Sequence, residues 1–323
     1  MATSDQQSAM RLGFIGLGGM GSRMASRLLA ARYDLVVYNR TRERTHPLEQ
    51  LGAQVAATPK ELATAVDVVL SCVTNDEALE NVMFGAHGAL AGARLGTIFI
   101  EMSTVHPRTS NRLHEAAITK GISVLDAPVS GSTPQAEQGQ LVIFVGGEEG
   151  VYNKCKAILA ALGKESFYMG PSGSGATMKL CMNILLGLGV QALAEAITLG
   201  ESAGLPREPF LRVLGETSVL SPSQKTKLEN ARKDEYPVAF PLRLMFKDFG
   251  LILQKAMELS VPMPATAAAA QVCAAEHAWQ FASHSDEDFS SVIRTMRHMA
   301  EGGGAGLKGS PKAESAKSGM RGS

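Results

Sequence analysis

The sequence predicts an α/β fold in two parts: a doubly wound, mostly parallel sheet, then a long interdomain helix leading into an all-α C-terminal domain. Three observations support this. Short apolar strand signals alternate with helical periodicity through the first half. A glycine-rich turn, Gly16-Leu-Gly-Gly-Met-Gly21, separates the first strand signal from the first helix signal. Beyond Gly175 the strand signals cease and helical periodicity takes over.

Leu12-Gly-Phe-Ile15 is a short apolar strand running into the glycine turn. Ser22 to Ala31 is helical, with Met24, Leu28 and Leu29 at helix spacing. Leu35-Val-Val-Tyr38 is the second strand. Further strands are read at Asp67 to Val73, Thr97 to Ile100, Ser123 to Leu125 and Leu141 to Val145, with helical segments between several of them. Ala176 to Ala203 is one long helix, stopped by Gly204 and Pro206. Helical signals follow at Pro209 to Leu214, Arg243 to Leu259 and Ala265 to Phe281. The organisation expected is a sheet domain over 10–170, an interdomain helix over 171–204, a helical domain over 205–298 and a disordered tail over 299–323. The tail is rich in Gly, Ser, Lys and Ala and buries too little apolar surface to order itself.

At 323 residues the chain has room for two domains with substantial cores. Lys plus Arg and Asp plus Glu both number 31, so the formal net charge is zero, which argues against a nucleic-acid partner. The four cysteines, Cys72, Cys155, Cys181 and Cys273, form no C-x-x-C pair, and none neighbours a histidine at zinc-ligand spacing. No metal is expected, and the thiols read as small buried apolar groups in a reducing compartment. The polar stretch Met1 to Met10 lacks the apolar centre of a signal peptide. The apolar stretch Ile184 to Gly200 carries Gln191 and Glu195 and reads as a buried helix rather than a membrane span. A cytoplasmic protein without a membrane partner is the expectation.

The glycine turn carries the first chemistry. G-x-G-x-x-G between a strand and a helix is the dinucleotide fingerprint of a Rossmann-type domain. Gly16 permits the tight turn, Gly18 lets the backbone approach a pyrophosphate, and Gly21 allows close helix–sheet packing. Leu17, Gly19 and Met20 complete the loop, and the helix beyond offers free N–H groups to phosphates. The end of the second strand reads Tyr38-Asn-Arg-Thr-Arg42, with no acid to repel a 2′-phosphate. Arg40 can face that phosphate, and Asn39 and Thr41 can hydrogen-bond it, so NADP (NADPH) is the cofactor expected. Val73, Thr74 and Asn75 follow one strand, and Ser103 and Thr104 follow the next, where ligands bind in open α/β sheets. Ser103 and Thr104 equally suit a turn or a helix cap.

Ser130, Gly131 and Ser132 follow another strand. A hydroxyl with backbone N–H groups exposed by small residues makes a cradle for a carboxylate, although the segment taken alone is a turn. Lys179 lies in the first turns of the long apolar helix, among Met178, Leu180 and Met182. Asn183 and Gly187 follow at one- and two-turn spacing on the same stripe, and the glycine is read as leaving room for a ligand. An ammonium there polarises a carbonyl oxygen and protonates the developing alkoxide. The alternative is a lysine snorkelling to the surface. Lys247-Asp248 reads by itself as a solvated helix face.

Together these residues resemble the β-hydroxyacid dehydrogenase family. Its pattern runs G-L-G-x-M-G, D-x-S-T, P-V-S-G, G-x-G-x-x-x-K-x-x-x-N and K-D. This chain shows Gly16 to Gly21, Glu101-Met-Ser-Thr104, Pro128-Val-Ser-Gly131, Gly173 to Lys179 through Asn183, and Lys247-Asp248, in order between about Leu12 and Arg297. Asn39-Arg-Thr41, Ser130 to Leu141, Ser166 to Gly170, Pro237 to Leu242, Met263-Pro264 and Asp288 to Val292 look like the glyoxylate and succinic semialdehyde reductases of that family. The resemblance implies an NADPH-dependent reductase of small aldehyde-acids, or the reverse oxidation of a β-hydroxyacid. It implies Lys179 as the catalytic residue, with Ser130, Asn183, Phe240 and Asp248 around the substrate and Thr104 and Lys247 on the cofactor. Two positions depart from the pattern. Ser132 stands where many members have a second glycine, and Glu101 replaces the aspartate.

Two alternatives remain open at this point. Imine reductases share the architecture, but their catalytic lysine is typically replaced. Non-catalytic chromatin-associated relatives keep the fold, lack this lysine and carry extra domains. The apolar residues from Ile184 to Leu199 lack partners within one subunit if their helix is an exposed connector. A homodimer, or a dimer of dimers, is therefore expected.

Overall fold

The computed structural model describes residues 10–283 and 285–307. The sheet domain begins with β1 (Leu12–Ile15), α1 (Gly19–Ala30) and β2 (Leu35–Tyr38). A 3₁₀ turn at Arg42–Thr45 leads to α2 (His46–Gln50), β3 (Gln54–Val55), α3 (Pro59–Thr64) and β4 (Val68–Ser71). Then come α4 (Asp76–Met83), α5 (Ala89–Gly92), β5 (Ile98–Glu101), α6 (Pro107–Ile118) and β6 (Ser123–Asp126). The domain closes with β7 (Val129–Ser130), α7 (Thr133–Gln138), β8 (Leu141–Gly147), α8 (Glu149–Leu162) and β9 (Gly163–Gly170).

The nine strands form one sheet in the order β3-β2-β1-β4-β5-β6-β8-β7, with β9 paired to β8. The pairings from β3 to β6 are all parallel, and β8 turns antiparallel to β6. Side chains alternate between two buried faces. Leu12, Phe14, Leu35, Val37 and Leu70 pack with α1 and α8, whereas Ile15, Val36, Val69 and Phe99 pack with α3 and α6. β1 is flanked by β2 on one side and β4 on the other, so the chain changes direction there. Such a switch point opens a crevice at the carboxyl ends of the strands.

The helical part comprises α9 (Ser174–Ser202), α10 (Arg207–Glu216), α11 (Pro222–Lys233), α12 (Leu242–Glu258), α13 (Pro264–Ser283) and α14 (Val292–Leu307). Its core joins Leu180, Val190 and Ile197 of α9 to Met245, Phe249 and Ile252 of α12 and to Ala269 and Cys273 of α13. With 29 residues, α9 is about 43 Å long. It is long and apolar enough to cross a membrane by length and composition, but one face belongs to this core. The opposite face is exposed along Cys181, Leu185, Ala192, Ala196 and Leu199. The tail boundary expected at 299 falls inside α14, whose backbone ladder continues to Leu307. The remaining tail, 308–323, lies outside the described residues.

Several elements go beyond the sequence reading. β3 and β7 are two residues each. β9 is largely exposed and contains Lys164 and Glu165, so its parallel pairing to β8, rather than an apolar run, makes it a strand. α11 is polar on most of its surface, and its signal is the capping box between Ser221 and Gln224.

Asp126, the last residue of β6, joins the two parts. Its carboxylate accepts the N–H groups of Gly173 and Ala176, each at 2.8 Å, at the start of α9. The two glycines of Gly173-Ser-Gly175 serve this seat. A Cβ on Gly175 would lie 2.4 Å from the Phe144 carbonyl oxygen, and Gly173 takes φ +86. A Cβ on Gly146 of β8 would lie 2.5 Å from Asp126 Oδ1. The glycines before Lys179 are thus spent on close packing within the protein itself.

Removing the acceptor would strand two buried donors. Asp126→Ala should destabilise the protein by about 1.5–3 kcal/mol, the range for hydrogen bonds to a charged group. Chemical denaturation of variant and parent checks this.

Candidate active site

The three glycines of the first loop are distinguishable by what surrounds them. Gly16 takes φ +95, and a Cβ there would lie 2.3 Å from the Cys72 carbonyl oxygen. A Cβ on Gly21 would lie 1.9 Å from the Gly16 carbonyl oxygen, so Gly21 lets α1 close onto its own loop. Gly18 has no atom within 4 Å of that position: it faces open space at the N-cap of α1. The first turn of α1 carries no acid, and its N–H groups face the crevice with the helix dipole behind them. The open approach at Gly18 and the positive end of the helix dipole suit a pyrophosphate. Leu17, Gly19 and Met20 line the same turn, and Thr133 approaches to 3.7 Å from a Cβ on Gly19.

Asn39 is committed to the protein. Its Oδ1 accepts the Leu17 N–H at 2.9 Å, and its Nδ2 donates to the Thr41 carbonyl at 2.8 Å. It therefore shapes the glycine loop and the strand end together. Arg40 and Thr41 are exposed at the mouth of the crevice. After β4, the Val73 N–H donates to Ser103 Oγ at 2.8 Å, while Asn75 Oδ1 caps α4 through the Ala78 N–H at 2.9 Å. Thr74 lies between them. Ser103 is thus a buried strut rather than a helix cap.

The polar cluster between α9 and α12 matches the sequence spacing. Asn183 is buried and donates from Nδ2 to Asp248 Oδ2 at 2.6 Å. Asp248 Oδ1 lies 2.9 Å from Lys247 Nζ, which also donates to the Thr104 carbonyl oxygen of the sheet domain. Asp248 is therefore a buried hub that aligns an amide and an ammonium. Burial raises its carboxyl, against the pull of Lys247, Lys179 and Asn183. Lys179, one turn before Asn183, is half-buried and has no hydrogen bond or ion pair to any described residue. Burial pulls its ammonium down to about 8, Asp248 opposes this and Lys247 adds to it. A cation this easily deprotonated, and unpartnered, is suited to give a proton to a bound group.

Gly187 differs from its sequence reading. A Cβ there would lie 2.5 Å from the Phe249 ring, so the ring fills the space assigned to a ligand. Ser130, in β7, lies on a strand that touches α9. Gly131 takes φ +128, and Ser132 caps α7, its N–H and Oγ both meeting Gln135 Oε1 at 3.0 and 2.7 Å. Only part of the expected carboxylate cradle therefore remains open. Phe240 packs edge-on against Phe289 at 5.6 Å. Its N–H donates to Asp288 Oδ2 at 3.0 Å, and the same oxygen accepts Lys227 Nζ at 2.8 Å. The contacts of Phe240 thus tie it to this turn, two helical turns before Asp248.

α12 meets the sheet domain at a second point. His106 Nε2 and Arg108 Nη1 lie 3.6 and 3.7 Å from Glu258 Oε1. Burial holds the His106 imidazole below its usual range, against Glu258. Sequence reasoning gave no role to this contact or to Asp126. The signal for Asp126 was an acid at a strand end paired with a Gly-x-Gly helix start.

Residues 11–170 match the model of the NAD binding domain of 6-phosphogluconate dehydrogenase. Residues 173–296 match that of the NAD-binding region of NADP-dependent 3-hydroxyisobutyrate dehydrogenase. The chain is 34% identical over 294 residues to 2-(hydroxymethyl)glutarate dehydrogenase of Eubacterium barkeri, spanning 91% of this chain and 97% of that protein. The chain belongs to the β-hydroxyacid dehydrogenase family. It is an NAD(P)-dependent oxidoreductase of that family. Glyoxylate/succinic semialdehyde reductase 1 of Arabidopsis thaliana is 34% identical over 292 residues, 90% of this chain and 100% of that protein. The crystal structure of 3-hydroxyisobutyrate dehydrogenase from Salmonella typhimurium superposes with a TM-score of 0.79 at 26% identity, covering 88% of this chain and 99% of that one. An imine reductase from Myxococcus stipitatus, at 20% identity and a TM-score of 0.61, shares the fold alone.

Proposed function

We propose that this β-hydroxyacid dehydrogenase is an NADPH-dependent reductase of a short aldehyde- or oxo-acid, of the glyoxylate or succinic semialdehyde type, and runs the reverse oxidation of the matching hydroxyacid. The observation that carries this is Lys179: a half-buried, unpartnered ammonium lowered to about 8, one turn from Asn183 and beside the Asp248 hub. Bound NADPH supplies the hydride. Lys179 holds a proton for the carbonyl oxygen as charge develops there, and takes it back in the oxidation. Asn183, held by Asp248, orients the substrate oxygen. Ser130 and Gly131 receive the substrate carboxylate beside α9. Arg40 and Thr41 face the 2′-phosphate, with the strand end shaped by Asn39. Val73, Thr74, Thr104 and Lys247 border the nicotinamide end. The lysine favours carbonyl over imine reduction, since the resemblance implies that imine reductases typically replace it.

A homodimer completes the reading. Leu185 and Leu199 are 69% and 73% exposed on the outer face of α9, and a second copy is proposed to cover them. Light scattering should show a dimer at micromolar concentration, and Leu185→Glu with Leu199→Glu should give a monomer.

Lys179→Ala should lower kcat by about 10²–10⁴-fold, the usual worth of a general acid, while NADPH titrates as in the parent. Lys179→Arg should rescue poorly, because a guanidinium is a far weaker acid. In the parent, the reduction rate should fall as pH rises through about 8 and the acid form is lost, while oxidation rises over the same window. A Lys179→Ala enzyme with parental kcat across pH overturns the assignment.

Arg40→Ala should weaken NADPH binding about ten- to hundredfold, as loss of a charge-assisted contact of about 1.5–3 kcal/mol does, and leave NADH binding nearly unchanged. Equal effects on both dinucleotides would place the 2′-phosphate elsewhere.

A further inference from the structure

Three buried polar side chains form a row across the sheet. Ser71, Glu101 and Asp126 end β4, β5 and β6 and are register partners across the two pairings. Residues so paired point to one face. Asp126 meets the start of α9, whereas Glu101 meets the cofactor loops. Glu101 Oε1 accepts the Ser103 N–H at 2.6 Å. Ser103 Oγ in turn accepts the Val73 N–H at 2.8 Å. One residue on, the Thr104 carbonyl oxygen receives Lys247. Glu101 Oε2 and Ser71 Oγ are buried with no partner among the described residues.

We propose that Glu101 is a positioning residue that fixes Ser103 and Thr104 and, through Ser103, the Val73 loop that borders the dinucleotide. This rests on the cofactor reading above. Two carboxylates on neighbouring strands in a dry row repel, and Asp126 is already held as an acceptor by two N–H groups. Burial, with Asp126 and Asp76 adding, pushes Glu101 up to about 8, against the hydrogen bonds from Ser103. The groups facing it supply no cation in contact. Cys72, at the end of β4, is a neutral thiol pushed up to about 12 by burial. Asp76, from α4, is engaged by the His106 N–H and the Thr109 hydroxyl. Lys247, from α12, is held by Thr104 and Asp248. Ionising Glu101 would set a second anion beside Asp126 and draw water to the row, so that the strands spread there and Ser103 shifts with the Val73 loop, even though its N–H still donates to the carboxylate.

The test is dinucleotide binding without substrate. NADPH and NADH are titrated by fluorescence at about pH 6.5 and about pH 9.5, either side of the Glu101 titration. The parent should bind about tenfold more weakly at the higher pH, one strut's worth. Glu101→Gln should bind alike at both, because its amide oxygen still accepts the Ser103 N–H and does not ionise. Glu101→Leu, which offers Ser103 no acceptor, should bind weakly at both. Thermal melts of the ligand-free protein give a second readout. A carboxyl raised in the folded state loses stability as pH climbs from its ordinary range to about 8, so Glu101→Gln should overtake the parent across that window. Parental binding that is flat with pH, a Glu101→Gln variant with the parental alkaline loss, or a Glu101→Leu variant with parental affinity would each overturn the proposal. Failure of the parent to bind either dinucleotide at any pH would overturn the cofactor reading instead.

Discussion

The Asp126 carboxylate on the first turn of α9 is the contact on which the remaining geometry depends. The start of a helix leaves N–H groups without intrahelical acceptors, and here they are buried against a sheet. A carboxylate satisfies two of them and sets a negative charge against the positive end of the dipole, worth about 0.3–1 kcal/mol when exposed and up to about 2 when partly buried. The contact also fixes the azimuth of a 29-residue rod. Lys179 and Asn183 ride on that rod, and their separation from the glycine loop is inherited from β6. The glycines at 146, 173 and 175 follow from the same demand for close approach.

Around the rod, opposing electrostatic effects are kept in balance. Burial would turn Lys179 into a neutral amine; Asp248 nearby holds it back without pairing to it directly. For the role proposed for Lys179, a direct ion pair would make the ammonium too weak an acid. Asp248 is instead engaged by Asn183 and Lys247, so its charge acts at a distance while its atoms do positioning. Lys247 bridges to the Thr104 carbonyl of the other domain, and Glu258 meets His106 and Arg108 further along the same helix. The two domains therefore touch through the segment that follows β5.

Much of this was legible in the sequence. The strands whose residues are apolar on both faces, such as Leu12–Ile15 and Leu35–Tyr38, declare themselves because burial on both sides demands it. The Lys179–Asn183 spacing was equally plain, since helix geometry puts the two on one stripe. What stayed hidden depends on contacts distant in sequence. β9 is a strand because β8 is beside it, and α11 is a polar helix on a small buried footing of Lys227, Leu228 and Ala231. The role of Gly187 was misread because a missing side chain looks alike whether a ligand or a phenylalanine ring fills the gap. Glu101 looked incidental because its partners, Ser103 apart, lie on other strands.

The double engagement of Asn39 bears on how such an enzyme changes its dinucleotide. The strand-end position that would carry the ribose-binding acid in an NAD enzyme is here a structural bracket between Leu17 and Thr41. An aspartate in its place keeps the acceptor for Leu17 but sets an anion against the Thr41 carbonyl in place of a donor. The glycine turn and the end of β2 are thus one mechanical unit. A lineage drifting from one cofactor to the other along this backbone would first have to find the Thr41 carbonyl a new donor, and the order of substitutions would be constrained before any affinity changed.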